Sequence, residues 1–180
     1  MPRLLAVCVV HQLVPDTGSI GVTGIDKRPV EGPVRVGPYG LRGDVQASRK
    51  HHGGIDKALY AYAQEDADHW AEQLGHEIPP GVFGENLRTV GIDVNDARIG
   101  EIWRIGTEVE VQVTLPRTPC GTFARRLAGL ASIAHGVVDQ CGEHLVQVAG
   151  VDDRAYAGGV AVHIQAGVIV GDDQPVVLHE

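Results

Sequence analysis

Glycine and proline interrupt this chain so often that long regular elements cannot dominate it. Glycine occurs 24 times and proline 10 times in 180 residues, a glycine usage roughly twice the ordinary figure of about 7%. Glycine opens positive-φ turns and proline removes a backbone donor from helix and sheet ladders, so the pattern favours short strands joined by tight turns. The composition supplies enough material to bury them. Apolar residues make up 43% of the chain and charged ones 21%, the balance of a globular protein rather than a disordered one. A chain of this length suits one folding unit over residues 1–180.

The formal net charge is −8, which argues against a broad nucleic-acid surface or a polybasic membrane anchor. An anionic ligand would therefore need a local cationic pocket. Three cysteines, Cys8, Cys120 and Cys141, are too few for a disulfide framework and point to a reducing, cytoplasmic setting. The apolar start from Leu4 to Val10 is short, runs into His11 and Gln12 and lacks a small-residue cleavage site, so it reads as a strand rather than a signal peptide. No stretch approaches the ~20 apolar residues of a membrane helix, and no membrane partner is expected.

A buried strand is predicted from Leu4 to Val10, ended by Pro15, Asp16 and Gly18, with a second short strand through Ile20 to Ile25. Residues 29–43 read as loops around a strand fragment that contains Val34 and Val36. Alternation over Ala58 to Tyr62 leads into the clearest helix, whose Ala63, Ala67, Trp70, Ala71 and Leu74 keep to one stripe. Glu65, Asp66 and Asp68 suit its opening turns, and Gly75 ends it. Ile102 to Ile105 and the alternating Val109, Val111, Val113 and Leu115 form a hairpin. A shorter helix is expected from Thr122 to Leu130, and strands near Val160 to Ile164 and Val168 to Val170. Together these predict a mainly β, α+β fold: a closed or partly closed β-barrel with attached helices.

Three loop segments concentrate chemistry-bearing side chains. His51-His52-Gly53-Gly54-Ile55-Asp56-Lys57 sets imidazoles, a carboxylate and an ammonium around two glycines that permit close approach to a ligand. Its plain alternative is a polar turn. Gly81-Val82-Phe83-Gly84-Glu85-Asn86-Leu87 offers a carboxylate and an amide, or simply a turn with an Asx cap. Pro116-Arg117-Thr118-Pro119-Cys120 ends the best strand, and its prolines must take the backbone out of the sheet. Arg117 and the following helix start both favour thiolate at Cys120, although a lone cysteine is most often inert and buried. Cys8, inside an apolar strand, fits that inert description better. Cys141 and His144 lack the second ligand pair of a structural zinc site. No Walker loop, G-x-G-x-x-G fingerprint or G-x-S-x-G elbow is present, and Asp16-Thr17-Gly18 reads as a turn.

In combination these segments resemble the MOSC domain, named for the C-terminal domain of molybdenum-cofactor sulfurases. The resemblance runs through Gly24-Ile25-Asp26-Lys27-Arg28-Pro29-Val30, Gly40-Leu41-Arg42-Gly43-Asp44, His52-Gly53-Gly54, Gly84-Glu85-Asn86-Leu87, Ile99-Gly100-Glu101 and Pro116-Arg117-Thr118-Pro119-Cys120. It covers about half the chain in order. His163 stands where the resemblance calls for an arginine, and the region after Cys120 is shorter than in many stand-alone relatives.

The resemblance implies a β-rich, barrel-like fold with Cys120 as the functional thiol, either a molybdenum ligand or a persulfide that carries sulfur. Small stand-alone relatives look like reductases of N-hydroxylated compounds, and the family also has an association with pyridoxal phosphate. The first reading is therefore an oxidoreductase that holds a molybdopterin-type molybdenum cofactor, takes electrons from a donor protein and reduces a small N-hydroxylated substrate. Lys27, Lys57 and Arg117 are the candidates for its phosphate. Asp44, Gly53, Gly54 and Asn86 are the remaining cofactor-site candidates, and His52 or Glu85 the proton donor. The alternatives are a sulfurtransferase acting through Cys120 and a non-catalytic module that stores the cofactor.

Overall fold

The computed structural model describes residues 2–48, 53–106, 109–117, 120–130, 146–150, 162–164 and 169–170. Among them the chain forms β1 (Arg3–Val10), β2 (Val14–Pro15), β3 (Val22–Thr23), β4 (Lys27–Pro29), β5 (Val34–Gly37), β6 (Gly40–Leu41) and a 3-10 turn (Ile55–Lys57). Then follow β7 (Leu59–Ala63), α1 (Gln64–Leu74), β8 (Leu87–Val90), β9 (Ile102–Ile105), β10 (Val109–Pro116), α2 (Gly121–Leu130), β11 (Val146–Gly150), β12 (Val162–Ile164) and β13 (Ile169–Val170). The fold is mainly β with two α-helices among the described residues, as the turn-rich sequence requires. No helix among those residues is long and apolar enough to cross a membrane.

The main sheet has eight strands in the order β13-β9-β10-β11-β7-β8-β1-β4. Its centre is β7, Leu-Tyr-Ala-Tyr-Ala, in which all five residues are buried. Successive strand residues point to opposite faces, so Leu59, Ala61 and Ala63 join a core with Val111, Val113 and Trp103. Tyr60 and Tyr62 face a second core with Trp70, Phe83, Phe123 and Leu127. Both helices contribute to that second core. In α1 the apolar stripe buries Ala67 and Trp70, acidic Glu65 and Asp66 lie in the first turn, and Gly75 caps the end at φ 70°, donating to the Ala71 carbonyl. The helix dipole favours this charge placement.

β7 and β8 pair in parallel. Parallel neighbours need a crossover of a dozen or more residues, and α1 with the segment after it supplies the link. Leu87, the last residue of the expected turn segment, instead opens β8, which local pattern does not reveal because Leu-Arg-Thr-Val carries a buried arginine that breaks apolar alternation. β11 is likewise not expected from the sequence, a five-residue strand that finds its partners β10 and β7 only in the tertiary structure. The expected strand over Ile20 to Ile25 shrinks to Val22–Thr23, paired with Val14–Pro15.

Of the closed or partly closed barrel expected from the sequence, the mainly β, α+β architecture is present, but no sheet closed into a barrel is found among the described residues. β13 and β4, at the two ends of the sheet, do not pair with each other. Closure requires each terminal strand to find a partner with a continuous stagger, and these strands have two and three residues. A smaller sheet in the order β12-β5-β6 and the β2-β3 pair lie apart from this ladder.

Gly81 shows how tightly the second loop segment is packed against β4. Its φ is +93°, and a Cβ there would lie 2.3 Å from the Lys27 carbonyl oxygen. Gly32 has φ +75° with open space where a Cβ would go. Gly81→Ala should therefore combine left-handed strain with a backbone clash and cost about 2 kcal/mol or more, lowering the thermal midpoint by roughly 5 °C or more. Gly32→Ala should cost only the conformational part, about 1 kcal/mol. Paired thermal melts check the ranking, and equal losses would mean that the loop yields at Gly81.

Candidate functional site

Asp44, in the loop after β6, is the hub from which the site is built. Its Oδ1 accepts the Val10 amide at 3.0 Å. Its Oδ2 accepts Lys27 Nζ and Asn86 Nδ2, both at 2.7 Å. Asn86 in turn donates to the Cys8 carbonyl and accepts the Tyr60 amide on its own Oδ1. Its backbone is bonded to Tyr60 and Cys8 as well. One carboxylate and one amide thus fix β1, β4, β7 and the entry to β8 against one another. Lys27 is nearly buried. Burial pushes its ammonium below its ordinary range and nearby Arg117 adds to the shift, while Asp44 opposes it.

Beside this network lies a cavity of about 400 Å³, within the ~300–1,000 Å³ usual for small-molecule sites. Lys27, Lys57, Arg117 and Arg125 line it, with Asp44, Asn86, Tyr60 and Cys120. Among the described residues Lys57 and Arg117 add their charge to the Lys27–Asp44 pair and to Arg125, which Asp16 neutralises, so the wall is locally positive in a chain whose net charge is −8. Arg117 leaves the end of β10 and stacks over the Tyr60 ring, 4.5 Å from its centroid. Cation–π contact of this kind orients a guanidinium without using its hydrogen-bond donors. Among the described residues those donors have no ion-pair partner.

Arg125 was not anticipated from the sequence. It lies in the first turns of α2, and its Nε and Nη2 grip the two oxygens of Asp16 at 2.7 Å each. Asp16 also accepts from Thr122 Oγ1 and the Gly18 amide. The expected Asp16 turn is therefore real and is latched to the helix that follows Cys120. The partners hold the Asp16 carboxyl down at about 2, with Arg125 the leading cause. The only sequence signal was a basic residue in the opening turns of a helix, where the dipole would disfavour it.

The structure brings Lys27, Asp44, Lys57, Asn86, Arg117 and Cys120 to one cavity. Gly54, at φ +103°, is held by Gln46, whose Oε1 accepts the Gly54 amide while its Nε2 donates to the Gly54 and Lys57 carbonyls. Gly53 and Gly54 are thus next to the wall through Lys57 without lining it. His52 and Cys141 lie outside the described residues. Glu85 is placed elsewhere: it is fully buried, and its Oε1 accepts the Gly81 amide and the Arg88 guanidinium. It shapes the Gly81–Gly84 turn and compensates a buried arginine instead of facing the cavity.

The two described thiols differ sharply. Cys8 is buried, and desolvation followed by the Glu85 charge pushes its thiol up to about 12. Cys120 is half-buried on the cavity wall. Iodoacetamide at neutral pH should modify Cys120 and leave Cys8 unmodified, read by peptide mass mapping of folded protein, because thiolate is the reactive form. Modification of Cys8 at an equal rate would contradict the burial of β1. At Asp16 the lowered folded value means that the latch stabilises fully above about pH 4 and is lost as pH falls through about 2. Thermal melts of Asp16→Asn should differ from the native protein at pH 7 and converge toward pH 2.

A MOSC domain family model matches residues 48–174 of this chain. The uncharacterized protein YflK of Bacillus subtilis is 38% identical over 104 residues, covering 58% of this chain and 47% of YflK. Protein YiiM of Escherichia coli is 39% identical over 102 residues, covering 54% of this chain and 45% of its own length. A protein named reductase from Gibberella moniliformis is 33% identical over 112 residues, 57% of this chain and 19% of that one. The chain thus spans about half the length of the bacterial relatives, or less for the fungal protein. The crystal structure of YiiM from Geobacillus stearothermophilus superposes with a TM-score of 0.62 at 29% identity, covering 100% of this chain and 76% of that one. YUAD of Bacillus subtilis, at 10% identity and a TM-score of 0.66, shares the fold. With the family match spanning most of its length, the chain belongs to the MOSC domain family.

Proposed function

We propose that the cavity holds a molybdopterin-type molybdenum cofactor and that the protein reduces N-hydroxylated compounds. The observation that carries this reading is the convergence of Lys27, Lys57 and Arg117, from three separated segments, on the cavity that Cys120 lines. Such convergence suits a ligand with a phosphate and a soft metal. A phosphate takes guanidinium and ammonium donors, and a soft thiolate suits molybdenum whose other ligands arrive with it. The reductase name of one relative points the same way for that relative.

Arg117 would take the phosphate bidentately, since its donors are held forward by the Tyr60 stack. Lys27, locked to Asp44, would act as a fixed charge, and Lys57 as a third cation. Cys120 would be the protein's metal ligand. When bound, the cofactor supplies two-electron redox chemistry. The overall reaction joins an N-hydroxylated substrate, two electrons from a donor protein and two protons to give the amine and water. Glu85 is sealed with Arg88, which leaves His52 as the proton donor suggested by sequence.

The test is molybdenum and pterin content of protein purified from a host that makes the cofactor, with turnover of an N-hydroxylated substrate and an artificial electron donor. Arg117→Ala should retain roughly tenfold less pterin, more loss than Lys57→Ala, because a charge-assisted hydrogen bond contributes about 1.5–3 kcal/mol. Cys120→Ala should abolish turnover. Melts establish that each variant folds. Equal pterin in all variants would refute the phosphate role. Metal-free protein carrying cyanide-labile sulfur on Cys120 would replace the reductase by the sulfur carrier.

A further inference from the structure

Ile20, Val22 and Val45 are 46%, 38% and 46% exposed, and all three line the cavity that contains Cys120. Single exposed aliphatic residues are ordinary. Three that arrive from the Asp16–Gly21 loop, from β3 and from the loop after Asp44, and line one cavity, bring exposed apolar surface to it. The loop that carries Ile20 is fixed by the Asp16–Arg125 latch. That same contact neutralises the cation joined to the loop. Among the described residues Ile20, Val22 and Val45 give the cavity an aliphatic portion beside the polar Ser19, Gln46 and Ser48, and the Arg117 guanidinium and the Lys27–Asp44 pair line it too.

We propose that this aliphatic portion makes the protein selective for substrates that carry the N-hydroxylated group on an uncharged, apolar body. Ile20, Val22 and Val45 are the specificity-determining residues, and Arg125 with Asp16 are positioning residues that hold Ile20 in place. The inference rests on the reductase reading. An anionic body would lose its hydration against these aliphatic side chains, and the nearby Arg125 is already paired with Asp16, whereas an aryl or alkyl body buries surface that water already treats poorly.

The experiment compares phenylhydroxylamine with hydroxylamine as substrates of the cofactor-loaded protein with an artificial donor. Each is reduced by two electrons and two protons with N–O cleavage, to aniline or ammonia plus water. Native protein should prefer phenylhydroxylamine in kcat/KM. In the Ile20→Ser, Val45→Ser double variant that preference should fall roughly tenfold, through KM, as expected for lost apolar contact. Turnover of both substrates with an unchanged preference would overturn the proposal. A second measurement is independent of turnover: aniline titrated into methyl-labelled protein, followed by NMR. Shifts centred on the Ile20, Val22 and Val45 methyls support the proposal, and shifts elsewhere or none overturn it. If neither hydroxylamine is turned over while these methyls shift, the reductase reading fails and the apolar site stands.

Discussion

The Asp44 carboxylate is the contact on which the arrangement of the site depends. It accepts three hydrogen bonds, from the Val10 amide, Lys27 and Asn86, so neither of its oxygens is left uncompensated. A buried carboxylate with fewer partners would cost several kcal/mol of desolvation. Here the cost is offset by joining β1, β4 and the start of β8, which are far apart in the chain. Lys27 is held at the wall in the process. Structural and binding requirements therefore converge on the same atoms.

The same economy governs β7. Its two faces belong to different cores, which is why a strand of five buried aliphatic and aromatic residues can sit at the centre of an eight-stranded sheet. Tyr60 closes one core, bonds through its backbone to Asn86 and carries the stacked Arg117 on its ring. Tyr62 lies under Arg88, with the guanidinium 5.5 Å from its ring centre. Arg88 is buried without exposure and is compensated by Glu85. Removing either partner of such a pair leaves an uncompensated charge, a change that typically costs about 3–5 kcal/mol.

Electrostatics explains how an acidic chain offers a cationic interior. The acidic residues of α1 and the loop after β8 lie around a different surface depression, lined by Glu65, Asp66 and Asp93. The basic residues of the cavity come from β4, the 3-10 turn, the end of β10 and α2. Separation of the two sets focuses positive potential where the thiol lies, and the acidic exterior keeps the remaining surface unattractive to other anions.

By itself the sequence determined the local elements whose periodicity is strong: β1, the β9–β10 hairpin, the stripe of α1 with its glycine cap, and α2 after Cys120. These follow from short-range rules of alternation, dipole and capping. It also marked Lys57, Asn86 and Arg117, because unusual residues gathered around glycine and proline turns stand out, and Lys27 and Asp44 through the family resemblance alone. What it could not decide was which of them face one another. The parallel β7–β8 pair and the partners of β11 depend on contacts between distant segments. Glu85 and Asn86 are neighbours in sequence, yet one enters the core beside Arg88 and the other the cavity wall, a divergence set by the bend that precedes β8. Arg125 joined the site only because the fold carries the Asp16 turn to α2, a pairing across 109 residues that no local pattern encodes.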